Sequence, residues 1–397
     1  TYYNPLLGGS KNAEKTITVG WGEGIDLAAE YLNQQVSPNQ TRVSSWYEST
    51  FAPYYYGSSI SYSKEKGKAL AGDYVIFYIN QVQRQFPDEV FFDYFTSRFA
   101  PLRVIALHGI DYVWIYPSPG IDHYVDDQVY TGIAALLAWQ WATGEATVFA
   151  PGRLVPFELF WEYLGKDPEE TFYVRLVDAQ GRAWAEGRSS LSASTNPSVD
   201  DWREGEILYE TGNLPLPPAL PPGEYRLEIG IYTEALAVST GELPFVLEPE
   251  EARVVVQSAP GTVKMLRGEF ETINQPLGES LTLLGAKVPA QAIPTEGTVP
   301  VDLYWRVEQP LRADTDMHVG LVDRAGEVRQ AWFNLTLAET FNPTLTVWQP
   351  GDLIHTRWSL ELLPQAEAGI YRLQIVLPSN TDEVLDLGEI TVGQEQP

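Results

Sequence analysis

The sequence predicts a multidomain chain of α/β plus all-β class: a small N-terminal α/β domain followed by two duplicated, immunoglobulin-like antiparallel β-sandwiches. Three observations carry this expectation. The first is a long-range repeat. Trp161 precedes Trp305 by 144 residues, Leu176-Val177-Asp178 precedes Leu321-Val322-Asp323 by 145, and Trp202, Gly205 and Tyr225-Arg226-Leu227 precede Trp348, Gly351 and Tyr371-Arg372-Leu373 by 146. A near-constant offset across separate motifs marks a duplicated domain, and the unit is far longer than the ~20–50 residues of a solenoid repeat. The second is period-2 apolar alternation with turn signals at short spacing in both copies, the pattern of sandwiches. The third is the front block, where strand-like runs alternate with helical ones. The expected boundaries are 1–127 for the α/β domain, 128–250 for the first sandwich and 261–393 for the second.

In the front block, residues 1–15 lack periodicity, and residues 16–21 suit a short strand or an extended segment. After the run Gly20-Trp21-Gly22-Glu23-Gly24, Ile25, Ala28, Ala29 and Leu32 fall at i, i+3, i+4 and i+7, one apolar helix face. Asp26 lies near the first turn, where the helix dipole favours an acid. Residues 41–47 read as a second strand, residues 51–57 as an aromatic loop, and residues 73–82 as a strand buried on both faces. Residues 87–98 begin with Pro and acids and end with Arg, the start and stop signals of a helix. Its expected apolar face is Val90, Phe91, Tyr94 and Phe95. Residues 102–116 read as two strands joined at His108-Gly109-Ile110-Asp111.

In the sandwiches, Phe172, Val174 and Leu176 alternate with Tyr173, Arg175 and Val177 before the turn Asp178-Ala179-Gln180-Gly181. Asp first and Gly fourth suit a type I turn. The second copy repeats this with Met317, Val319 and Leu321 before Asp323-Arg324-Ala325-Gly326. Tyr225, Leu227, Ile229 and Ile231 match Tyr371, Leu373, Ile375 and Leu377 as inward sets. The Pro-rich stretch 214–223 punctuates strands, and residues 248–260 read as the linker between copies.

The chain has no Cys, so thiolate chemistry and disulfides are excluded. Its 26 basic against 53 acidic residues give a net charge of −27, which argues against nucleic acid as a partner. The charge is uneven: residues 1–127 hold 9 basic and 14 acidic residues, the rest 17 and 39. The front block also holds 14 of the 22 Tyr, and a near-neutral, Tyr-rich block suits either an aromatic core or a surface that meets a partner. No run approaches the ~18 apolar residues of a membrane span.

A search for chemistry yields little. GxSxG, HExxH and phosphate-binding glycine motifs are missing, and Glu23 would repel an anion at the Gly-rich turn. His108 and Asp111, with Asp122, His123, Asp126 and Asp127 in an expected loop, could ligate a cation or simply be turn and surface residues. His318 and His355 fall on outward strand parity and are expected at the surface. The recurring pairs Trp161/Trp305 and Trp202/Trp348 read as packing, while Trp139, Trp141, Trp184, Trp332 and Trp358 stay open as core or as sugar-stacking platforms. No catalytic residue, metal or cofactor is assigned.

Taken in order, the stretches NPLLGG, VGWGEG with its helix, SWY, DYVIFYINQVQR and GIDYVWIY, within residues 4–116, resemble the region that follows the last transmembrane helix of bacterial multi-spanning glycosyltransferases. These are GT-C type, protein-mannosyltransferase-like enzymes that use polyprenyl-phosphate sugars. The resemblance implies that a membrane bundle elsewhere in the polypeptide holds the catalytic acid. It also implies that this chain lies at the extracytoplasmic face as a soluble, membrane-tethered body that is non-catalytic by itself. Its implied partners are the transmembrane part of the same polypeptide and a glycan or protein acceptor. Trp21, Glu23, Tyr54, Tyr55, Tyr56, His108 and Asp111 are the binding candidates on that reading. Two alternatives stand beside it: an extracellular carbohydrate-binding or adhesion protein, and a hydrolase with its site in the α/β block.

Overall fold

A computed structural model describes residues 9–130, 134–142, 148–165, 171–190, 202–232, 253–257, 259, 261, 263–266, 268–312, 315–337, 347–364, 366–377 and 380–393. Most of the described chain is β-structure, arranged in several largely antiparallel sheets and one mixed sheet at the front; the parallel β14–β8 pair makes a second sheet mixed as well.

The front layer runs α1 (Ser10–Thr16), α2 (Ile25–Gln35), β1 (Arg42–Ser45), α3 (Glu48–Phe51), β2 (Ser58–Ser61), α4 (Lys66–Leu70), β3 (Tyr74–Tyr78), α5 (Ile79–Gln83), α6 (Glu89–Arg98), β4 (Arg103–Leu107) and β5 (Ile110–Pro117). The sheet order is β2-β1-β3-β5-β4. β1 pairs in parallel with β2 and β3, and β5 pairs antiparallel with β3 and β4. α2 buries the four residues its periodicity selects, Ile25, Ala28, Ala29 and Leu32. At α6 the Asp88 side chain accepts a hydrogen bond from Phe91 N at 2.8 Å, satisfying one orphan donor of the first turn.

Several expectations shift. Residues 17–21 form no strand, and Ser10–Thr16 is helical. The apolar run 73–82 is β3 followed directly by α5, because a short buried run carries no period that separates strand from helix. Residues 51–57 include a helical turn, Ala52–Tyr54, rather than loop alone. In α6, Phe92 is buried where Val90 was expected, and Phe77 of β3 meets Phe91, Phe92 and Phe95 edge-on at 5.7, 4.9 and 5.3 Å.

The first β body holds β6 (His123–Tyr130), β7 (Ala134–Trp141), β8 (Val148–Phe149), β9 (Leu154–Tyr163), β10 (Thr171–Val177), β11 (Ala183–Ser190), β12 (Ile207–Pro215), β13 (Gly223–Tyr232) and β14 (Arg253–Val256). Its sheets are ordered β12-β9-β7-β6 and β11-β10-β13-β14-β8. The segment around His123 and Asp126 is thus strand β6 rather than loop, and it starts before residue 128. β14 lies inside the expected linker.

The second body holds β15 (Glu271–Leu277), β16 (Leu281–Lys287), β17 (Thr298–Val307), β18 (Leu311–Arg312), β19 (Asp316–Val322), β20 (Val328–Thr336), β21 (Val347–Trp348), β22 (Leu353–Glu361), β23 (Gly369–Leu377) and β24 (Asn380–Val392). Its main sheets are ordered β15-β16-β17-β22 and β20-β19-β23-β24. Each body has one apolar core fed by both of its main sheets, with Trp161, Leu176 and Tyr225 in the first and Trp305, Leu321 and Tyr371 in the second.

Register adds detail. In the first body Trp161 pairs with Leu136 and Leu208, and Phe160 with Ala138 and Tyr209. In the second, Trp305 pairs with Leu283 and Ile354, and Tyr304 with Gly285 and His355. Both registers slip by one residue on the same side, leaving Leu137 and Leu284 as the surplus residues of β-bulges.

The outward faces of these strands join the bodies. Leu137, Ala138, Phe160 and Ile207 share a buried cluster with Phe77, Phe91 and Tyr94 of the front layer. Lys66, only 2% exposed, lies on that boundary with Nζ 2.7 Å from Asp88, 2.9 Å from Glu162 and 2.8 Å from the Gly205 carbonyl. Leu284, Tyr304 and Leu353 of the second body cluster in turn with Ala219 of the first and with Leu266.

Candidate functional site

The glycine-rich turn is strapped to the end of β3. Gly20 has φ 102°, and a side chain there would bring its Cβ to 2.7 Å from the Tyr78 ring, so the position requires glycine. Gly22 N donates to Tyr78 Oη at 2.8 Å, and Tyr78 Oη donates to Glu23 Oε2 at 3.1 Å. The same carboxylate oxygen accepts from Trp21 N at 2.6 Å. From α5, Gln83 Oε1 accepts from Val19 N at 2.9 Å, and Asn80 Nδ2 reaches the Gly20 carbonyl at 3.5 Å. The Trp21 side chain, 92% exposed, stands out from this bracket. Burial raises the Tyr78 phenol well above its ordinary value; the Glu23 interaction adds to the rise and the Gly22 N–H opposes it. Tyr78 is therefore a neutral donor to a carboxylate across the physiological range.

Direction of the strands sorts the remaining candidates. β1 and β3 run parallel, so Trp46 and Tyr47 follow β1 at the end where Tyr78 closes β3. Tyr47 and Tyr78 meet at 4.7 Å, and Trp46 stacks on Phe86 at 4.9 Å. β4 runs in the direction of β3 through two antiparallel steps, which puts the β4–β5 turn at this end too. His108 and Gly109, at φ 54° and 81°, are the central residues of that two-residue hairpin, the positive-φ pair that a type I′ turn demands. His108 and Asp111 are both exposed there.

The tyrosine run lies at the other end. Tyr55 Oη donates to the Thr41 carbonyl at 3.3 Å, just before β1 begins. Asn33, near the end of α2, donates to the Tyr54 carbonyl and accepts from Tyr56 N. Tyr55 is buried in the core against Phe51, and burial, helped by Asp73, lifts its phenol to about 12. Trp21, Glu23, His108 and Asp111 thus share one end of the sheet, and Tyr54, Tyr55 and Tyr56 are brought to the opposite end.

Among the sandwich tryptophans, Trp139, Trp141, Trp161, Trp184, Trp202, Trp305, Trp348 and Trp358 are buried, and Trp332 packs against the second core. The eight buried rings offer no open face for sugar stacking, while Trp332 is only partly covered. Among the described residues, no group of three or more His, Asp and Glu is placed to hold a metal ion.

His355 overturns its expectation. It is 5% exposed, with Nε2 2.7 Å from Asp302 Oδ1, its ring stacked on Tyr304 at 4.3 Å and edge-on to Trp184 of the first body at 5.3 Å. Outward parity is correct, but the outward face is covered by the neighbouring body. The signal that could have revealed this is the apolar company of His355 on that face, Leu284, Tyr304 and Leu353.

No protein-family model matches the chain, and no curated protein matches it. Among solved structures, one crystal structure of the C-terminal domain of Wzt is similar over 35% of this chain and 84% of that one, at 13% identity and a TM-score of 0.26. A Salmonella alpha-2-macroglobulin is similar over 71% of this chain and 16% of its own length, at 10% identity and a TM-score of 0.18. At these scores neither likeness places the chain in a fold family.

Proposed function

We propose that this chain is the extracytoplasmic part of a membrane glycosyltransferase of the polyprenyl-phosphate-sugar-dependent type, non-catalytic by itself. The front domain meets the transmembrane part of the same polypeptide, and the two bodies are duplicated immunoglobulin-like sandwiches that extend toward a glycan or protein acceptor. The observation that carries this reading is convergence. Four stretches that resemble that enzyme class, around Trp21, Tyr47, Tyr78 and Ile110, are dispersed over some ninety residues of sequence and meet at one end of the sheet. Scaffold alone does not need a rigid bracket holding an exposed indole, whereas a contact surface does, because Trp anchors dominate interface energetics. The duplicated-sandwich assignment is supported by the shared strand order and by the two equivalent bulges.

The test uses the full-length enzyme. Trp21→Ala should lower sugar transfer roughly tenfold, the scale of a lost anchor residue, and leave the melting temperature unchanged. Tyr54→Ala, at the opposite end, should leave both unchanged. Equal activity in the two variants would remove the assignment. Coding sequence upstream of Thr1 should specify several hydrophobic spans of ~20 residues.

A further inference from the structure

The two β bodies meet at a small joint beside one crossing of the chain. Gln257 N donates to the Phe149 carbonyl of the first body at 2.9 Å, and Gly261 N donates to the Gly351 carbonyl of the second at 3.0 Å. The apolar part of the joint sets Ala219 of the first body against Leu266, Leu284, Tyr304 and Leu353. The front joint is larger and aromatic, with Phe77, Phe91, Tyr94, Leu137, Phe160 and Ile207 in one cluster. The cores around Trp161 and Trp305 are separate clusters, so the small joint can part while each body keeps its interior.

The polar part runs along β22, the edge strand of its sheet. His355 N points away from β17 and donates to the Ala219 carbonyl at 2.7 Å. Two residues on, the Arg357 carbonyl accepts from Arg182 Nη1 at 2.8 Å, and Arg357 Nη1 donates to the Ala183 carbonyl at 2.5 Å. Between these bonds lies the His355 ring, 5% exposed. Its own body supplies one face and one partner: Tyr304 stacks on it at 4.3 Å, and Asp302 Oδ1 lies 2.7 Å from Nε2. The first body supplies further cover, with Trp184 edge-on at 5.3 Å.

The charged and titratable groups facing this ring come from every element around it. β17 brings Asp302 and Tyr304, and β22 brings Arg357, 3.5 Å from Asp302 and 4.6 Å over the Trp184 ring. Glu269 acts on the ring from the segment before β15, and Lys287 of β16 acts on Asp302. From the first body come Asp178, which binds Arg182 Nε and Trp184 Nε1, and Tyr225, edge-on to Trp184 at 6.4 Å. What opening removes decides the sign. Parting the bodies takes away Trp184 and the Ala219 carbonyl and readmits water, while Asp302, Tyr304 and Arg357 stay with the ring. Opening therefore relieves the burial that disfavours the imidazolium and keeps the carboxylate that favours it, so protonation favours the open joint. The corresponding residue of the front joint is Tyr209, which donates to Glu158 at 2.7 Å; a phenol takes up no proton as the solution turns acid.

We propose that the joint between the two β bodies is an acid-opened hinge, pivoting on residues 257–261, with His355 as its sensor. In mildly acid solution the second body swings away with its core intact. That uncovers Trp184 on one side and Leu284, Tyr304 and Leu353 on the other. Burial is the first cause that holds the His355 imidazole below its ordinary 6.5 in the closed joint. The closed joint is therefore fully favoured above that value and loses ground as pH falls below it. The device goes beyond the proposed function and does not depend on it.

The amide at position 355 reports the joint directly, because its hydrogen bond crosses it. Hydrogen exchange of that amide in the full chain, corrected for the intrinsic pH dependence of exchange, measures opening even when the open state is rare. Its protection should fall by about tenfold between about pH 7.5 and about pH 5, a change of the size that one protonation linked to burial produces. The amides of Ile354 and Thr356, which face β17 on the same strand, should keep theirs. In His355→Gln, which can still bond Asp302 but takes up no proton, and in His355→Tyr, protection at position 355 should not change with pH. Constant protection in the unaltered chain overturns acid opening. A fall that persists in both variants overturns His355 as the sensor. A fall shared by Ile354 and Thr356 shows the body itself unfolding and overturns the hinge.

Discussion

The two joints between domains use the same strand face but differ in the chemistry of their polar locks. At the first joint, Lys66 is buried among Asp88, Glu162 and the Gly205 carbonyl, and Tyr209 supplies a phenol to Glu158. At the second joint, the equivalent tyrosine is His355, and Arg357 bridges by backbone hydrogen bonds and by its position over Trp184. The first lock centres on the buried Lys66. The second centres on an imidazole, the side chain whose unperturbed value of about 6.5 lies nearest the physiological range. The apolar contacts join the domains, and the polar groups decide under which conditions they stay joined.

The largest effect should come from breaking the first lock. Lys66→Met leaves Glu162 without its buried cation and should destabilise the front joint by about 3 kcal/mol, toward the low end for a buried pair because Asp88 is partly solvated. Chemical denaturation followed at the front-layer aromatics measures it; a loss under ~1 kcal/mol would mean the pair is as weak as a surface bridge. Next comes the apolar part of the second joint. Leu353→Ala removes a buried side chain from a small cluster and should lower the stability of that joint by about 2 kcal/mol. Ile207→Ala at the equivalent place should lower the first joint by about the same amount, and a large inequality would show that the two faces do not do the same job.

The smallest effect is the one that separates the joints. His355 is held below its ordinary 6.5, first by burial; the Asp302 hydrogen bond opposes this and the Arg357 charge adds to it. Tyr304 and Trp184 close over the ring, and the Glu269 carboxylate also acts to raise the value. Burial pushes the Asp302 carboxyl up, yet His355, Arg357 and Lys287 together hold it below its usual value. The unfolded imidazole therefore takes its proton first as pH falls. Stability from neutral His355 is fully present above the unfolded value of 6.5 and is lost as pH drops below it. That of Asp302 is present above 3.8 and is lost only in more acid solution. Thermal unfolding from about pH 7.5 to about pH 5 should show the second body loosening while the first joint holds. His355→Tyr, which installs the residue of the first joint, should flatten that response; an unchanged slope would place the sensitivity elsewhere.

What the sequence made legible follows the same division. Core positions were readable because periodicity reports which face is inward: the four α2 residues, Val174 and Leu176 of β10, Met317, Val319 and Leu321 of β19 and the paired tryptophans occupy the places their spacing selects, while the side chain of Phe172 lies outside the described residues. Turn chemistry was readable where it demands a residue type, as at Gly181 and Gly326, whereas the β4–β5 turn is tighter than the expected residues 108–111, with Ile110 and Asp111 already in β5. Outward faces were not readable, because parity says only that a side chain leaves its own core. His355 leaves its own core and enters another environment, and the surface that covers it lies far off in sequence. The same limit explains the candidate site. The bracket around Trp21 needs Tyr78 and Gln83, whose side chains come from a run that reads as one continuous strand until its second half turns into a helix.

The bulges that carry Leu137 and Leu284 separate two tasks that a regular strand would tie together. Core residues on either side of a bulge keep their alternation whatever the surplus residue is, because that residue belongs to neither face's count. Its size and polarity can therefore change without repacking the tryptophans behind it. Partner choice in such a chain becomes a matter of rewriting a single position, and modules could be reordered or appended while each retains an intact interior.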